Sequence, residues 1–263
     1  MLIAGPCVIE SEAIVMSIAE AIAATPAVKN FQLVFKASYT KDNRSATQSY
    51  RGSGLEEGLR ILEKVRSETG LPVISDVHSV EEAMAAGEVL DIVQIPAFLC
   101  RQTSLLEAVA GSAAERGFAI NIKKGQFMAP EDMKNVVGKI QAVGGGTPLL
   151  TERGTTFGYH NLVVDFRGFP RMRATGCPVI YDVTHSLQRP AGLGDVSGGE
   201  PELAGMMARA AAAVPVDGLF IETHPRPDEA LSDGASMLPF DRFAELVAQT
   251  ARVFELARQF DIE

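Results

Sequence analysis

Eight apolar runs, rich in β-branched residues, recur along the chain, and each ends in polar or charged side chains. They are Leu2–Ile9, Phe31–Ser38, Pro72–Val77, Ile92–Ala97, Phe118–Lys123, Pro148–Arg153, Pro178–Thr184 and Gly218–His224. Each is 6 to 8 residues long and continuous rather than alternating, the pattern of strands buried on both faces of a parallel sheet. The repeat is roughly 30 residues per step, the size of one βαβ unit. Eight right-handed βαβ units in 263 residues predict a closed α/β fold, a (β/α)8 TIM barrel, forming a single domain over residues 1–263. The rival is an open doubly wound sheet. It would need a phosphate-binding fingerprint, and Gly192, Gly194, Gly198 and Gly199 lack the G-x-G-x-x-G spacing.

Helical segments are expected between the runs. Ser11–Ala24 carries Ile14, Ile18, Ala21 and Ile22 on one stripe, and Leu55–Thr69 carries Leu55, Leu59, Leu62 and Val65. Ser79 and Glu82 have capping-box spacing, Gly117 fits a helix stop after Thr103–Arg116, and Pro130 suits the first turn of a helix reaching Val143. Glu202–Ala213 and Phe240–Phe260 complete the set, and Phe157–Thr175 predicts only a short or irregular helix. The segment Ser186–Gly199 is expected to be a mobile lid, with an ordinary surface loop as the alternative.

In a barrel, all eight C-terminal strand ends meet on one face, where chemistry sits. Here they carry Cys7, Lys36, Ser38, Asp76, His78, Gln94, Lys123, Lys124, Glu152, Arg153, Asp182, His185, Glu222 and His224, with Lys41, Arg44, Arg101 and Asp233 just beyond. The net charge is −9, which argues against nucleic acid or an acidic membrane as partner. Against that balance, so many cations on one rim point to an anionic small-molecule substrate. Any one of them has the alternative of a local acid partner. The loop Lys36–Arg51 is too long for a tight βα turn and offers a phosphate-binding surface, with a solvated loop as its alternative.

Cys7, His185, Glu222 and Asp233 come from the first, seventh and eighth strand ends, and strands one and eight become neighbours on closure. Thiolate, imidazole and two carboxylates suit a divalent metal ion such as Zn²⁺, Mn²⁺ or Fe²⁺. The alternative for Cys7 is a small buried hydrophobe, the reading given to Cys100 and Cys177. His160 is read as structural, and His78 and His224 are open to the same reading. Three widely spaced cysteines fit a reducing cytoplasm. The start MLIAGPC shows no signal-peptide pattern, and no apolar run reaches membrane-spanning length.

Taken in order, the motifs resemble the 3-deoxy-D-manno-octulosonate 8-phosphate synthase family. They are IAGPCVIES, FKAS with KDNRSA, PVISDVH, QIPAFLCRQT, NIKKGQF, TERGTTFGY, YDVTHSLQ, and ETHPRP with LSDGAS. The resemblance implies condensation of phosphoenolpyruvate with D-arabinose 5-phosphate and water, with release of inorganic phosphate, in lipopolysaccharide inner-core synthesis. It implies that Lys36, Lys41, Lys123 and Arg153 hold phosphoenolpyruvate. Asn43, Arg44 and Ser45 would hold the sugar phosphate, and Arg101 would reach it from a neighbouring subunit of a homotetramer. Ser38, Gln94 and Phe98 join the substrate-binding set, and Lys41, Lys123, Asp76 and His185 the catalytic one. Cys7, His185, Glu222 and Asp233 match the family's metal-ligand positions, and cysteine at position 7 places the chain in its metal-dependent class. Asp42 and Ala46 depart from the family's usual Ala and Ser. The related seven-carbon and nine-carbon synthases, and a non-catalytic sugar-phosphate binder, are the competing readings.

Overall fold

A computed structural model describes residues 1–42, 48–190, 198–214 and 216–260. Eight parallel strands close into a barrel: β1 (Leu2–Gly5), β2 (Leu33–Lys36), β3 (Val73–Asp76), β4 (Ile92–Ile95), β5 (Ala119–Lys123), β6 (Leu149–Glu152), β7 (Val179–Asp182) and β8 (Gly218–Glu222). Every predicted run contains its strand. The strands stop earlier than the apolar runs because the following residues leave the ladder while staying buried, as Cys7 and Val8 do after β1. The seam joins the first and last strands in register from Leu2↔Leu219 to Gly5↔Glu222.

Helices follow each strand: α1 (Glu12–Ala24), α2 (Leu55–Thr69), α3 (Val80–Val89), α4 (Thr103–Arg116), α5 (Met133–Ala142), α6 (Gly168–Arg173), α7 (Ala204–Ala212) and α8 (Phe240–Ala257). Their starts and stops have local causes. The Ser11 side chain accepts from Ile14 N, and the Ser79 side chain from Glu82 N, each satisfying a first-turn donor. The Glu82 carboxylate accepts from His78 N rather than closing a full capping box on Ser79, and also receives the Tyr39 hydroxyl. Gly117 ends α4 at φ 84°, a left-handed backbone that costs glycine little.

Two side-chain layers explain why the strands read as continuous. Outward residues such as Val93, Ile95, Ile120, Ile122 and Leu150 belong to the shell under the helices. Ile3, Val34, Ile74, Ile92, Ile180 and Phe220 form a separate inner cluster, capped by Met1 and Leu149 from the barrel's N-terminal end. Two residues further along each strand, on the same inward face, stand Gly5, Lys36, Asp76, Gln94, Asp182 and Glu222. The barrel is thus plugged by hydrocarbon below and by polar groups above.

The less regular segments differ from expectation in detail. Thr155–Thr156 pairs antiparallel with Leu162–Val163, and α6 supplies the short helix expected before Thr175. Gln188–Arg189 pairs antiparallel with Gly198–Gly199, so the described ends of the expected lid form a ribbon; residues 191–197 lie outside the described residues. No helix among the described residues is long and apolar enough to cross a membrane.

Gly5 marks the tightest approach between β1 and β2. A Cβ there would stand 1.9 Å from the Lys36 carbonyl oxygen, so no side chain fits without separating two paired strands. Gly5→Ala is expected to cost about 2 kcal/mol or more, a Tm drop on the order of 5 °C for a chain of this size. Thermal unfolding measures it, and an unchanged Tm would show that the strands can yield.

Candidate active site

Above the polar layer lies a cavity of about 280 Å³ lined by Lys41, Asp42, Asp76, His78, Pro96, Ala97, Phe98, Leu99, Lys123, Gln126, Arg153 and His185. It therefore gathers strand ends β2 to β7. Three of its cations are buried: Lys41, Lys123 and Arg153. Arg153 donates one Nη2 bond to Gln188 Oε1 at 2.8 Å, while its buried Nη1 has no partner among the described residues. An unpartnered guanidinium nitrogen facing a cavity is a strong anion donor, since leaving it unmet is costly. Asp42, which the sequence places beside the anion region, is exposed and paired with Arg51.

The carboxylates on this face are held ionised. Burial pushes Asp76 up, but Lys41, Lys36 and Lys123 outweigh it and hold its carboxyl well below the usual range. Burial likewise opposes ionisation of Asp182, and His185 and Lys123 overcome it. Burial lowers the Lys123 ammonium, with Asp182 and Asp76 opposing. The Lys123 ammonium sits 2.6 Å from Asp182 Oδ2 and 3.8 Å from the centroid of the Phe220 ring, a cation–π contact in a dry setting.

Asp182 also builds the position of His185. It caps the helical turn Val183–Ser186 by accepting from His185 N, and it receives His185 Nδ1 at 2.8 Å. An ionised carboxylate accepts only, so Nδ1 carries a proton toward Asp182. His185 Nε2 lies 3.5 Å from Glu222 Oε1.

Cys7, Glu222 and Asp233 bring their ligand atoms within 4.8 Å of one another. Cys7 Sγ lies 3.0 Å from Asp233 Oδ2 and 2.8 Å from Ser232 Oγ. Burial, then the Asp233 and Glu222 charges, raise the Cys7 thiol above its ordinary value. Asp233 takes a left-handed backbone, φ 52°, which Asp tolerates better than most residues; Gly234 follows because a Cβ there would meet Pro227 O at 2.2 Å.

These residues fit a divalent metal ion. Glu222 Oε2 is buried with no partner among the described residues. His185 has the carboxylate-backed imidazole typical of a metal ligand, and the S, N and O donors suit a borderline-soft cation. The close cluster comprises three of the four expected ligands, with His185 at its edge through Glu222.

Other expected site residues are placed differently. Lys36 is buried, and its ammonium donates to Glu222 Oε1 (2.5 Å), Cys7 O (2.7 Å) and Pro6 O (3.3 Å), so its three protons are spent within the protein. Ser38 donates to Asp76 Oδ2 at 2.6 Å, and the Gln94 amide is bonded at both ends. None of these three lines the cavity. Arg101 is exposed and lines a separate small cavity with Met128, Asp132, Asn135, Val136 and Lys139. Asn43, Arg44 and Ser45 lie outside the described residues.

The structure adds Gln126 and Ser232, which the sequence did not single out, and gives Lys124, expected at a strand end, a supporting role. Gln126 lines the cavity, and Ser232 touches the Cys7 sulfur. Lys124 is fully buried, bonding Gly125 O, Met128 O and Thr155 Oγ1 beside Glu152 Oε1 at 3.4 Å. It fixes the turn that carries Gln126. Of the histidines, His160 is exposed and bonds Pro190 O, while His224 is buried and accepts from Arg226 N.

Residues 1–257 match the DAHP synthetase I family. The chain is 56% identical over 241 residues to the 2-dehydro-3-deoxyphosphooctonate aldolase of Syntrophotalea carbinolica, covering 92% of this chain and 86% of that protein. It is 51% identical over 258 residues to the Geobacter sp. protein of the same name, covering 98% and 93%. For the one from Protochlamydia amoebophila the figures are 50% over 259 residues, 98% and 93%.

The buried carboxylates set an acid limit. Asp76, Asp182 and Glu222 all have folded values below their unfolded ones. In the acid range the unfolded chain therefore binds more protons, and stability falls as pH drops below about 4 to 5. Asp182→Asn leaves Lys123 without its partner, so it is expected to be less stable than the parent at neutral pH. The gap should narrow as the pH falls below about 4 and the parent's carboxylates protonate. Denaturant titrations at a series of pH values measure this; a gap independent of pH would refute the electrostatic account.

Proposed function

The chain belongs to the DAHP synthetase I family, and we propose that within it the chain condenses phosphoenolpyruvate with D-arabinose 5-phosphate and water. The products are 3-deoxy-D-manno-octulosonate 8-phosphate and inorganic phosphate, which makes the protein a carbon–carbon bond-forming transferase of lipopolysaccharide synthesis. The names of relatives 50% to 56% identical over nearly the whole chain support this reaction. The observation that carries it is one of placement. A cavity with three buried cations adjoins a Cys7–Glu222–Asp233 cluster, and His185 lines the cavity while its Nε2 stands 3.5 Å from Glu222 at the cluster's edge.

Arg153, Lys123 and Lys41 receive the carboxylate and phosphate of the enol substrate. The enol C3 attacks the sugar aldehyde carbon, whose π pair becomes an alkoxide that takes up a proton. Water adds at C2 and loses a proton, and the C2–O bond to phosphate then breaks as the ketone forms. Fixed cations stabilise the charge that develops at each stage, and they offset the repulsion between two anionic substrates. The lowered Lys123 ammonium is the best placed proton donor among the cavity cations. Phe98, 57% exposed at the cavity mouth, with Pro96 and Ala97 supplies an apolar wall.

We assign the chain to the metal-dependent class, with Cys7, His185, Glu222 and Asp233 holding Zn²⁺, Mn²⁺ or Fe²⁺. Such an ion supplies Lewis-acid polarisation of a carbonyl or orients a water. Asn43, Arg44 and Ser45 bind the sugar phosphate. Arg101, turned away from its own cavity, serves the neighbouring subunit of a homotetramer. A cytoplasmic location accords with three cysteines that are all free.

Phosphate release from phosphoenolpyruvate and arabinose 5-phosphate tests the reaction and the metal together. Release should be abolished by chelation, restored by divalent ions, and absent in Cys7→Ala along with bound metal. Full turnover of metal-stripped Cys7→Ala would remove the metal role. Release with a four-carbon sugar phosphate alone would move the chain to the seven-carbon synthases, and binding without release would make it a sensor. Separately, Arg101→Ala is expected to raise the sugar-phosphate KM about tenfold, an effect of roughly 1.4 kcal/mol, with little change for phosphoenolpyruvate. An equal rise for both substrates would refute that assignment.

A further inference from the structure

A chain of side-chain hydrogen bonds crosses the barrel interior from β6 to β3. Thr151 Oγ1 donates to Asn121 Oδ1 at 2.7 Å, Asn121 Nδ2 donates to Gln94 Oε1 at 2.7 Å, and Gln94 Nε2 donates to Asp76 Oδ1. Ser38 Oγ donates to the other carboxylate oxygen at 2.6 Å, and Lys41 Nζ stands 3.4 Å from it. Thr151, Asn121 and Gln94 are 0%, 0% and 1% exposed. None of the three lines the cavity, whereas Asp76 and Lys41 do.

The direction of the chain follows from Asp76. An ionised carboxylate only accepts, so Gln94 must turn its NH2 toward it. The Gln94 carbonyl then faces Asn121, which must present its own NH2. The Asn121 carbonyl faces Thr151, whose hydroxyl is the one group in the row able to donate without a carbonyl end of its own. Every dipole therefore points its positive end at Asp76, and bonds aligned in this way polarise one another. Four different strands supply the members, so an apolar residue at any of these positions would strand a buried polar atom next door.

We propose that Thr151, Asn121 and Gln94 are positioning residues for the reaction: a one-way donor chain that fixes the orientation of the Asp76 carboxylate as an anion and, through it, the Lys41 ammonium at the substrate cavity. On this account Asp76 is a charge anchor and carries no proton during turnover. Gln94 acts through Asp76 instead of touching substrate. The groups facing Asp76 are Ser38, Lys36 and Lys41 from β2 and its loop, His78 after β3, Gln94 from β4 and Lys123 from β5. These neighbours favour its charge, and burial is what opposes it.

The kinetic readout rests on the proposed condensation; a spectroscopic one does not. Thr151→Val keeps the shape and removes the terminal donor, and Thr151→Ser keeps the donor. Thr151→Val is expected to lower kcat about tenfold with both KM values within about twofold, and to move the acid limb of the kcat/KM profile toward higher pH. Thr151→Ser should restore both. Wild-type kcat and pH profile in a Thr151→Val protein that has lost only Tm would reduce the chain to packing. In the unmutated protein, selectively ¹⁵N-labelled Gln and Asn should show the Gln94 and Asn121 side-chain amides strongly protected from solvent exchange at neutral pH. Rapid exchange would overturn the proposal whatever the substrate proves to be, and protection without turnover would count against the reaction and leave the chain standing.

Discussion

Three cation–carboxylate pairs share the dry upper layer of this barrel: Lys36 with Glu222, Lys41 with Asp76, and Lys123 with Asp182. Taking six charges out of water is expensive, and Coulomb attraction repays it only when the remaining donors and acceptors are also met. They largely are. Lys36 also holds two backbone carbonyls, Asp182 caps a helical turn, and Asp76 collects Ser38 and Gln94. Among the described residues, the buried atoms of the cavity and the Cys7 cluster without protein partners are Glu222 Oε2, a metal-type acceptor, Arg153 Nη1, an anion-type donor, and Gln126 Oε1. The layer is balanced except at these few atoms.

Pairing on this scale also corrects the simple picture of a cationic rim. Counting lysines and arginines at the strand ends overstates what is available to a substrate, because Lys36 neutralises Glu222 and supports the turn around Cys7. The lysines and arginine that line the described cavity come down to Lys41, Lys123 and Arg153. Lys124 belongs to the supporting frame, locking the Gly125–Met128 turn from beneath.

Much of the fold was legible because its signals are local. The eight runs, Ser79 as a cap and Gly117 as a stop need only neighbouring residues, and each has its expected role. The convergence of Cys7 with Glu222 and Asp233 was legible for a different reason: closure makes strands one and eight neighbours whatever lies between. What stayed hidden depends on register. Ile, Val and Leu on the outward faces mask the alternation that sends Asn121 and Thr151 inward, so AINIK and LLTE read as plain buried strands. The stagger that brings Thr151 to Asn121, although Thr151 is paired with Lys123 in the ladder, has no signature in spacing. Motif matching likewise gave Lys36, Ser38 and Gln94 a place near substrate without showing that protein partners consume their polar atoms.

The contact between Cys7 and the Ser232–Asp233 turn spans 225 and 226 positions of sequence. Contacts of such separation close a loop of most of the chain and carry a correspondingly large closure entropy. Both ends of the chain must be in place before these side chains can meet. The Cys7 cluster is therefore a reporter of completed assembly. A partly synthesised chain, or one whose last unit has frayed, lacks the ligand pocket altogether rather than holding a weakened copy. Capture of a cation there would in turn weld the two ends of the ring, so that metal uptake and resistance to unfolding at the seam become one and the same event.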